Sequence, residues 1–184
     1  MDKIKVIALI GPSACGKDTL LNQIIEKGNN VHRIVSYTTR PPRENEIEGV
    51  SYKFITDEEM QKLILKDKMY ECSEFNNWIY GTGIDCFDKN KVNIGVYNID
   101  GVYMLQDALN IDLTVYYIIA SDKNRLLRQL RREENPNIEE ILRRYRTDKI
   151  DFSNLDGIKF KALHNDSAED FVNCLEYIFQ DNSL

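Results

Sequence analysis

The sequence predicts an α/β fold: a parallel sheet with helices on both faces and a smaller mixed lobe inserted into it. Three observations carry that expectation. Apolar, strand-like runs alternate with segments of helical spacing along most of the chain. The first run, residues 3–10, passes directly into a Gly/Ser turn and then a helix, the order of a crossover unit. Between residues 34 and 90 the alternation breaks into a Pro-containing loop and short strands with a helix of their own. That segment reads as a lobe over the crevice at the strand ends, where α/β proteins bind ligands.

Taken in order, residues 3–10 (KIKVIALI) form a buried strand and 11–16 a Gly/Ser turn. A helix over 17–27 follows, with Leu20, Leu21, Ile24 and Ile25 on one side. Residues 31–35 make a second strand, and the polar stretch 40–51, with Pro41 and Pro42, a loop. Thr56 caps a helix running to about Lys66, and Glu59 completes a capping box. Short strands follow at 69–75 and 78–81, then strands at 92–99 and 113–120 separated by a helix near 102–109. Ser121 or Asp122 opens a long helix to about Glu133. Asn135-Pro136 breaks it, and a second helix begins near Ile138. A strand at 160–163, a helix over 168–179 and a frayed tail complete the chain.

At 184 residues, 42% hydrophobic and 29% charged, the composition is that of one soluble globular domain. It excludes disordered and fibrous classes. The apolar runs, residues 6–10 among them, are far too short to span a bilayer, and the start lacks the longer core of a signal peptide. A cytoplasmic location is expected, without membrane or nucleic-acid partners, and a monomer unless an oligomer forms. Cys15, Cys72, Cys86 and Cys174 make no CxxC pair, so neither a zinc site nor a disulfide framework is expected. Net charge is -6, yet seven of the ten arginines fall between Arg125 and Arg146. An acidic protein with such a cluster suggests a confined anion, such as a phosphate chain.

The run Gly11-Pro12-Ser13-Ala14-Cys15-Gly16-Lys17-Asp18-Thr19 fits GxxxxGK directly after a strand and opening a helix. This makes the parallel sheet a P-loop core. Successive N–H groups form a concave donor surface for phosphate oxygens, and Lys17 reaches the β- and γ-phosphates of a nucleoside triphosphate. Asp18 stands where a Mg²⁺-ligating Ser or Thr is usual. Three arrangements are open: Asp18 binds the metal or its waters, Thr19 does, or phosphates and water hold it. Cys15 reads as a small filler.

A second anion site is suggested by Ser36-Tyr-Thr-Thr-Arg40-Pro-Pro-Arg43-Glu-Asn-Glu46. Two arginines three apart in a rigid loop can clamp a monophosphate. With the phosphate loop, the segment resembles the guanylate kinase family. Gly49-Val-Ser-Tyr52-Lys-Phe54 continues the likeness, as do Met69-Tyr-Glu71 with Tyr80-Gly81-Thr82, Asn98-Ile-Asp100, and His164-Asn165-Asp166. It covers nearly the whole chain. The resemblance implies one kinase domain in three parts: a core over 1–35, 92–125 and 155–184, a lobe for the nucleoside monophosphate (NMP) over about 36–90, and a helical lid over about 126–152. It implies ATP and GMP as substrates, with Mg²⁺. Arg40, Arg43, Tyr52 and Tyr80 would hold the GMP phosphate, with Glu46 among the GMP-binding residues. Glu71 would accept from guanine N1–H and the 2-amino group, and Ser36 and Thr82 would donate to O6 or N7. Asn165 would lie near the adenine. Asp100 would contact metal water or the guanine edge, making it a tentative metal ligand alongside Asp18 and Thr19. None of these addresses the 2′-hydroxyl, so dGMP is a further candidate acceptor.

Two departures stand out: Asn98 replaces an acid, and the stretch after Asp100 is short. Among the lid arginines, Arg128, Arg132 and Arg144 match the family best, beside Arg125, Arg131, Arg143 and Arg146. A surface helix with Glu140–Arg144 pairing would read the same way. The reaction implied is in-line phosphoryl transfer from Mg·ATP to GMP, with Lys17 and the arginines stabilising charge. Two alternatives stay open: a ribose bisphosphate phosphokinase-like enzyme, and a catalytically silent module that binds phosphopeptides.

Overall fold

The computed structural model describes residues 3–42, 46–75, 77–132 and 134–184. The core is a five-stranded parallel sheet. Its strands are β1 (Ile4–Ile10), β2 (Val31–Arg33), β7 (Val92–Val96), β8 (Ile111–Ile119) and β9 (Lys161–His164), in the order β2-β7-β1-β8-β9. Strand β1 lies at the centre, paired with β7 on one side and β8 on the other. Its alternate residues feed two cores. Ile7 and Leu9 pack with Leu20, Ile24 and Ile178 of the helices α1 (Lys17–Lys27) and α6 (Ala168–Asn182). Val6, Ala8 and Ile10 pack with Val102 and Leu105 of α3 (Ile99–Asp107). A strand buried on both faces is why residues 3–10 read as a continuous apolar run.

A second, four-stranded mixed sheet has the order β4-β3-β6-β5: β3 is Tyr37–Thr38, β4 Lys53–Phe54, β5 Met69–Phe75 and β6 Trp78–Gly83. Strands β3 and β4 are two residues each, too short for any periodicity to reveal. Helix α2 (Asp57–Leu65) begins with the capping box read from the sequence: Thr56 N–H donates to Glu59 at 2.9 Å and Glu59 N–H to Thr56 Oγ1 at 3.2 Å. Helices α4 (Asp122–Arg132) and α5 (Ile138–Asp151) pack on one another.

Several boundaries differ from expectation: β2 stops at Arg33, β6 runs on to Gly83 and β8 starts at Ile111, and two further differences have a direct cause. Strand β7 stops at Val96 because Asn98 caps α3, its side-chain oxygen accepting from Gly101 N–H at 2.8 Å. Helix α3 therefore starts at Ile99 rather than near Val102. The tail does not fray, because α6 continues to Asn182. Asn182 donates to the Tyr116 hydroxyl at 2.7 Å, and Lys161 pairs with Asp181 at 2.5 Å.

The chain leaves β1 through Gly11, at φ +148°, where a Cβ would lie 2.4 Å from the Ile118 carbonyl oxygen. Only glycine fits so close to the neighbouring strand. Gly11→Ala is expected to cost about 2–3 kcal/mol and to lower Tm by roughly 5 °C or more. Calorimetric melting of the purified variant checks this.

Candidate active site

Between β1 and α1 the loop turns through Ala14 at φ +61° and Gly16 at φ +103°. Its carbonyls are satisfied from within and behind. Lys17 Nζ donates to Gly11 O at 2.6 Å and Pro12 O at 3.0 Å. Asn165 Nδ2 donates to Cys15 O at 2.7 Å, and Arg128 reaches Ala14 O at 3.3 Å and Asn165 O at 2.7 Å. With the carbonyls so engaged, the loop N–H groups other than those of Ser13 and Cys15, with the start of α1, are left for an incoming anion. Arg128 and Asn165 thus shape the loop. Cys15 is buried as a filler.

Ser13 is held by a pair that the sequence did not single out. Arg125 Nε donates to Ser13 O at 3.0 Å, and Ser13 N–H donates to Asp148 Oδ2 at 2.9 Å. Arg125 and Asp148 are ion-paired to each other, and Arg125 also meets Asp122 at 3.2 Å. Both backbone polar groups of Ser13, in two successive peptides of the phosphate loop, are therefore tied to α4 and α5. Arg125 is 3% exposed, so neither charge can retreat into water.

Beyond the loop lies Arg40, 5% exposed. Glu46 grips its guanidinium with both oxygens at 2.8 Å, and Arg40 donates to Pro41 O at 2.7 Å. Its carbon lies 5.7 Å from the Tyr52 ring centre and 5.9 Å from that of Phe54. Glu46 thus pins the arginine and reaches any ligand through it. Tyr52 packs edge-on against Tyr80 at 5.9 Å. Burial pushes the Tyr52 phenol up to about 12, so it meets an anion as a neutral donor. Arg43 lies outside the described residues. Across a cavity of about 660 Å³, Arg40 and Tyr80 face Arg143 and Arg144 of α5. Those two arginines share Glu140, each through a bond of 2.7 Å, and hold its carboxyl down at about 2. Arg132 is exposed at the end of α4.

An adjoining cavity of about 570 Å³ runs from Gly11, Ser13 and Lys17 to Ser36, Glu71, Tyr97 and Asn98. Glu71 is 6% exposed and accepts from Thr82 Oγ1 at 2.6 Å. Burial raises its carboxyl to about 7, and the Thr82 bond only partly offsets this. Ser36 Oγ lies 2.9 Å from Thr82 Oγ1. Asn98, beyond capping α3, donates to Ser73 Oγ at 2.8 Å. The replacement of an acid there is therefore a helix cap facing the cavity. Asp100 is exposed in the first turn of α3.

The donor set fits a divalent cation shared with phosphates. Among the described residues no three His, Cys, Asp or Glu side chains could hold a metal ion by themselves. Mg²⁺ is commonly held by one or two carboxylates with phosphate oxygens and water. Asp18 and Thr19 are exposed at the start of α1. Burial and the charges of Asp148 and Asp100 raise the Asp151 carboxyl; Asp148 and Asp151 line both cavities, and Asp100 lines the second.

A phosphate loop joined by one cleft to a second arginine site defines a phosphotransferase of the small P-loop kinase type. Comparison with known proteins narrows that class. The guanylate kinase family model matches residues 3–182. The chain is 32% identical to the guanylate kinase of Malacoplasma penetrans, over 99% of this chain and 95% of that one. It is also 32% identical to that of Schizosaccharomyces pombe, over 96% and 90%. The crystal structure of guanylate kinase from Anaplasma phagocytophilum superposes with a TM-score of 0.69 at 22% identity, covering 100% of this chain and 88% of that one. The chain belongs to the guanylate kinase family.

Asp148→Ala would leave Arg125 buried without its main partner and Ser13 N–H without an acceptor. A loss of about 3–5 kcal/mol in urea unfolding is expected. The apolar double replacement Arg125→Met/Asp148→Leu should recover most of it.

Proposed function

We propose that the protein transfers the γ-phosphoryl group of ATP to GMP, and also to dGMP, giving ADP and GDP or dGDP. The observation that carries this reading is Glu71: a desolvated carboxylate in a cavity continuous with the phosphate loop. Guanine presents N1–H and a 2-amino group, two donors that an ionised carboxylate can accept together. Adenine presents an acceptor at N1 and no amine at C2, and would leave Glu71 buried and unpaired. A site built this way discriminates by roughly 10⁴–10⁵.

In this reading the second sheet, within residues 36–90, forms the acceptor lobe. Arg40, Arg43, Tyr52 and Tyr80 hold the GMP phosphate, with Glu46 fixing Arg40. Residues 126–152 form the lid. The acceptor phosphate is already anionic, so no general base is required. Lys17 leaves its loop carbonyls for the β- and γ-phosphates, while Arg144 and Arg132 approach from the lid to meet the developing charge. Arg128 and Asn165 keep the loop amides pointed at the donor. Asp18, Thr19 and Asp100 would hold Mg²⁺ directly or through water; when bound, it neutralises phosphate charge. Closure of lobe and lid excludes water and suppresses ATP hydrolysis.

A coupled ADP-release assay across GMP, dGMP, AMP and UMP tests the reading. Turnover is expected with the two guanine nucleotides alone, and equal turnover of AMP would contradict it. Arg40→Ala should lower kcat/KM for GMP by roughly 10²-fold, from lost charge-assisted bonds.

The pH dependence has a definite sign. Glu71 in the folded protein stays protonated up to about 7, and only its ionised form accepts both guanine donors. So kcat/KM for GMP should fall about tenfold per unit as pH drops below that value. Glu71→Gln should abolish this acid limb along with most GMP turnover. The effect on stability runs the opposite way: the proton Glu71 retains favours the folded state, a contribution fully present below the ordinary glutamate range and lost as pH rises through about 7.

A further inference from the structure

Counting hydroxyl protons in the Glu71 pocket exposes a shortage. An ionised carboxylate donates nothing, so the 2.6 Å contact spends Thr82's single proton on Glu71. Thr82 can then take part in the 2.9 Å contact with Ser36 only as acceptor, which spends Ser36's proton too. No donor on this wall remains for the 6-oxo oxygen of a guanine whose other edge pairs with Glu71.

A further donor stands beside them. Tyr97, 6% exposed, lines the same cavity at the end of β7, with its backbone N–H bonded to Leu9 O at 3.1 Å. Its hydroxyl is buried and has no hydrogen-bond partner among the described residues. Burial and then the Glu71 charge push the phenol up, while the Thr82 hydroxyl, near enough to act on it as a hydrogen-bonding neighbour, pulls it down, which places the hydroxyl beside that wall. The ring is accommodated deliberately: a Cβ on Gly95 would come within 3.0 Å of it, and one on Gly101 within 3.3 Å. A buried O–H without an acceptor is costly, and in a packed ring position it marks an interaction completed by another state of the site.

We propose that Tyr97 is a specificity-determining positioning residue: its hydroxyl donates to Thr82 when the purine binds, releasing the Ser36 proton to the base's 6-oxo group. The exchange needs two hydroxyl rotations and a small approach of Tyr97 to Thr82, whose oxygen has a second lone pair. Glu71 reads the donors at N1 and C2, and the Tyr97–Thr82–Ser36 relay reads the acceptor at C6. A 6-amino purine fails at both edges.

The inference rests on the guanine-site reading, and the two fail differently. A parent enzyme that does not bind GMP sinks that reading. A parent that does, with a Tyr97→Phe variant that matches it, sinks only this one. Tyr97→Phe removes one oxygen and no packing, so its Tm should equal or exceed the parent's. Titration calorimetry should show GMP binding weakened about tenfold, and IMP, which keeps the 6-oxo group without the 2-amine, weakened by the same factor. AMP and ATP affinities should stay within about twofold of the parent's. Ser36→Ala should reproduce the GMP loss, and the double variant should lose no more than either single one. GMP binding unchanged in Tyr97→Phe, equal weakening of AMP and ATP, a large fall in Tm, or losses that multiply in the double variant would each overturn the proposal.

Discussion

Removing a carboxylate from water without giving it a cation is the constraint around which this site is organised. Glu71 has a threonine hydroxyl as donor, and burial lifts its carboxyl to about 7. An ion pair there would have been easier to fold, but it would have satisfied the group before any ligand arrived. The pocket is left with acceptor capacity that only a ligand with two adjacent donors can fill. Specificity of that kind comes from the penalty for leaving a buried group unpaired, which exceeds what one added contact supplies.

The donor side follows the opposite logic. Loop carbonyls are taken up by Asn165, Arg128 and, before nucleotide binds, Lys17, so that the N–H surface is what an anion meets. Ser13 is tied through its carbonyl to Arg125 of α4 and through its N–H to Asp148 of α5. The loop's shape and the docking of α4 and α5 are therefore linked through a pair of buried charges. Across the cleft, the bidentate grip of Glu46 on Arg40 fixes a cation where an acceptor phosphate would stand. The two cavities share walls: Ser13, Tyr80, Asp148 and Asp151 line both.

How much of this the sequence made legible depended on distance along the chain. The phosphate loop is nine consecutive residues after a buried strand, so strand, turn and helix were all readable from local chemistry. The capping box at Thr56 and Glu59 was readable for the same reason. Arg125 and Asp148 are 23 residues apart on two helices, and their meeting at Ser13 depends on how those helices pack. Asn98 looked like a lost acid because its capping of Gly101 is a matter of backbone direction. Tyr97 ends an apolar strand and reads as core; only the stranded hydroxyl distinguishes it. Strands β3 and β4 escaped notice because two residues carry no period, yet their pairing sets Ser36 and Tyr52, the residues just before them, side by side at the second cavity.

The central claim, that Glu71 is an uncompensated carboxylate awaiting guanine, is tested most directly by its own titration. Carbon-13 NMR of the Glu71 side-chain carboxyl, assigned by comparison with Glu71→Gln, would follow it across pH with and without saturating GMP. The account predicts a midpoint near 7 in the free protein, falling by more than about one unit when GMP is bound and unmoved by AMP. A midpoint in the ordinary glutamate range in the free protein, or the same midpoint with and without GMP, would contradict it.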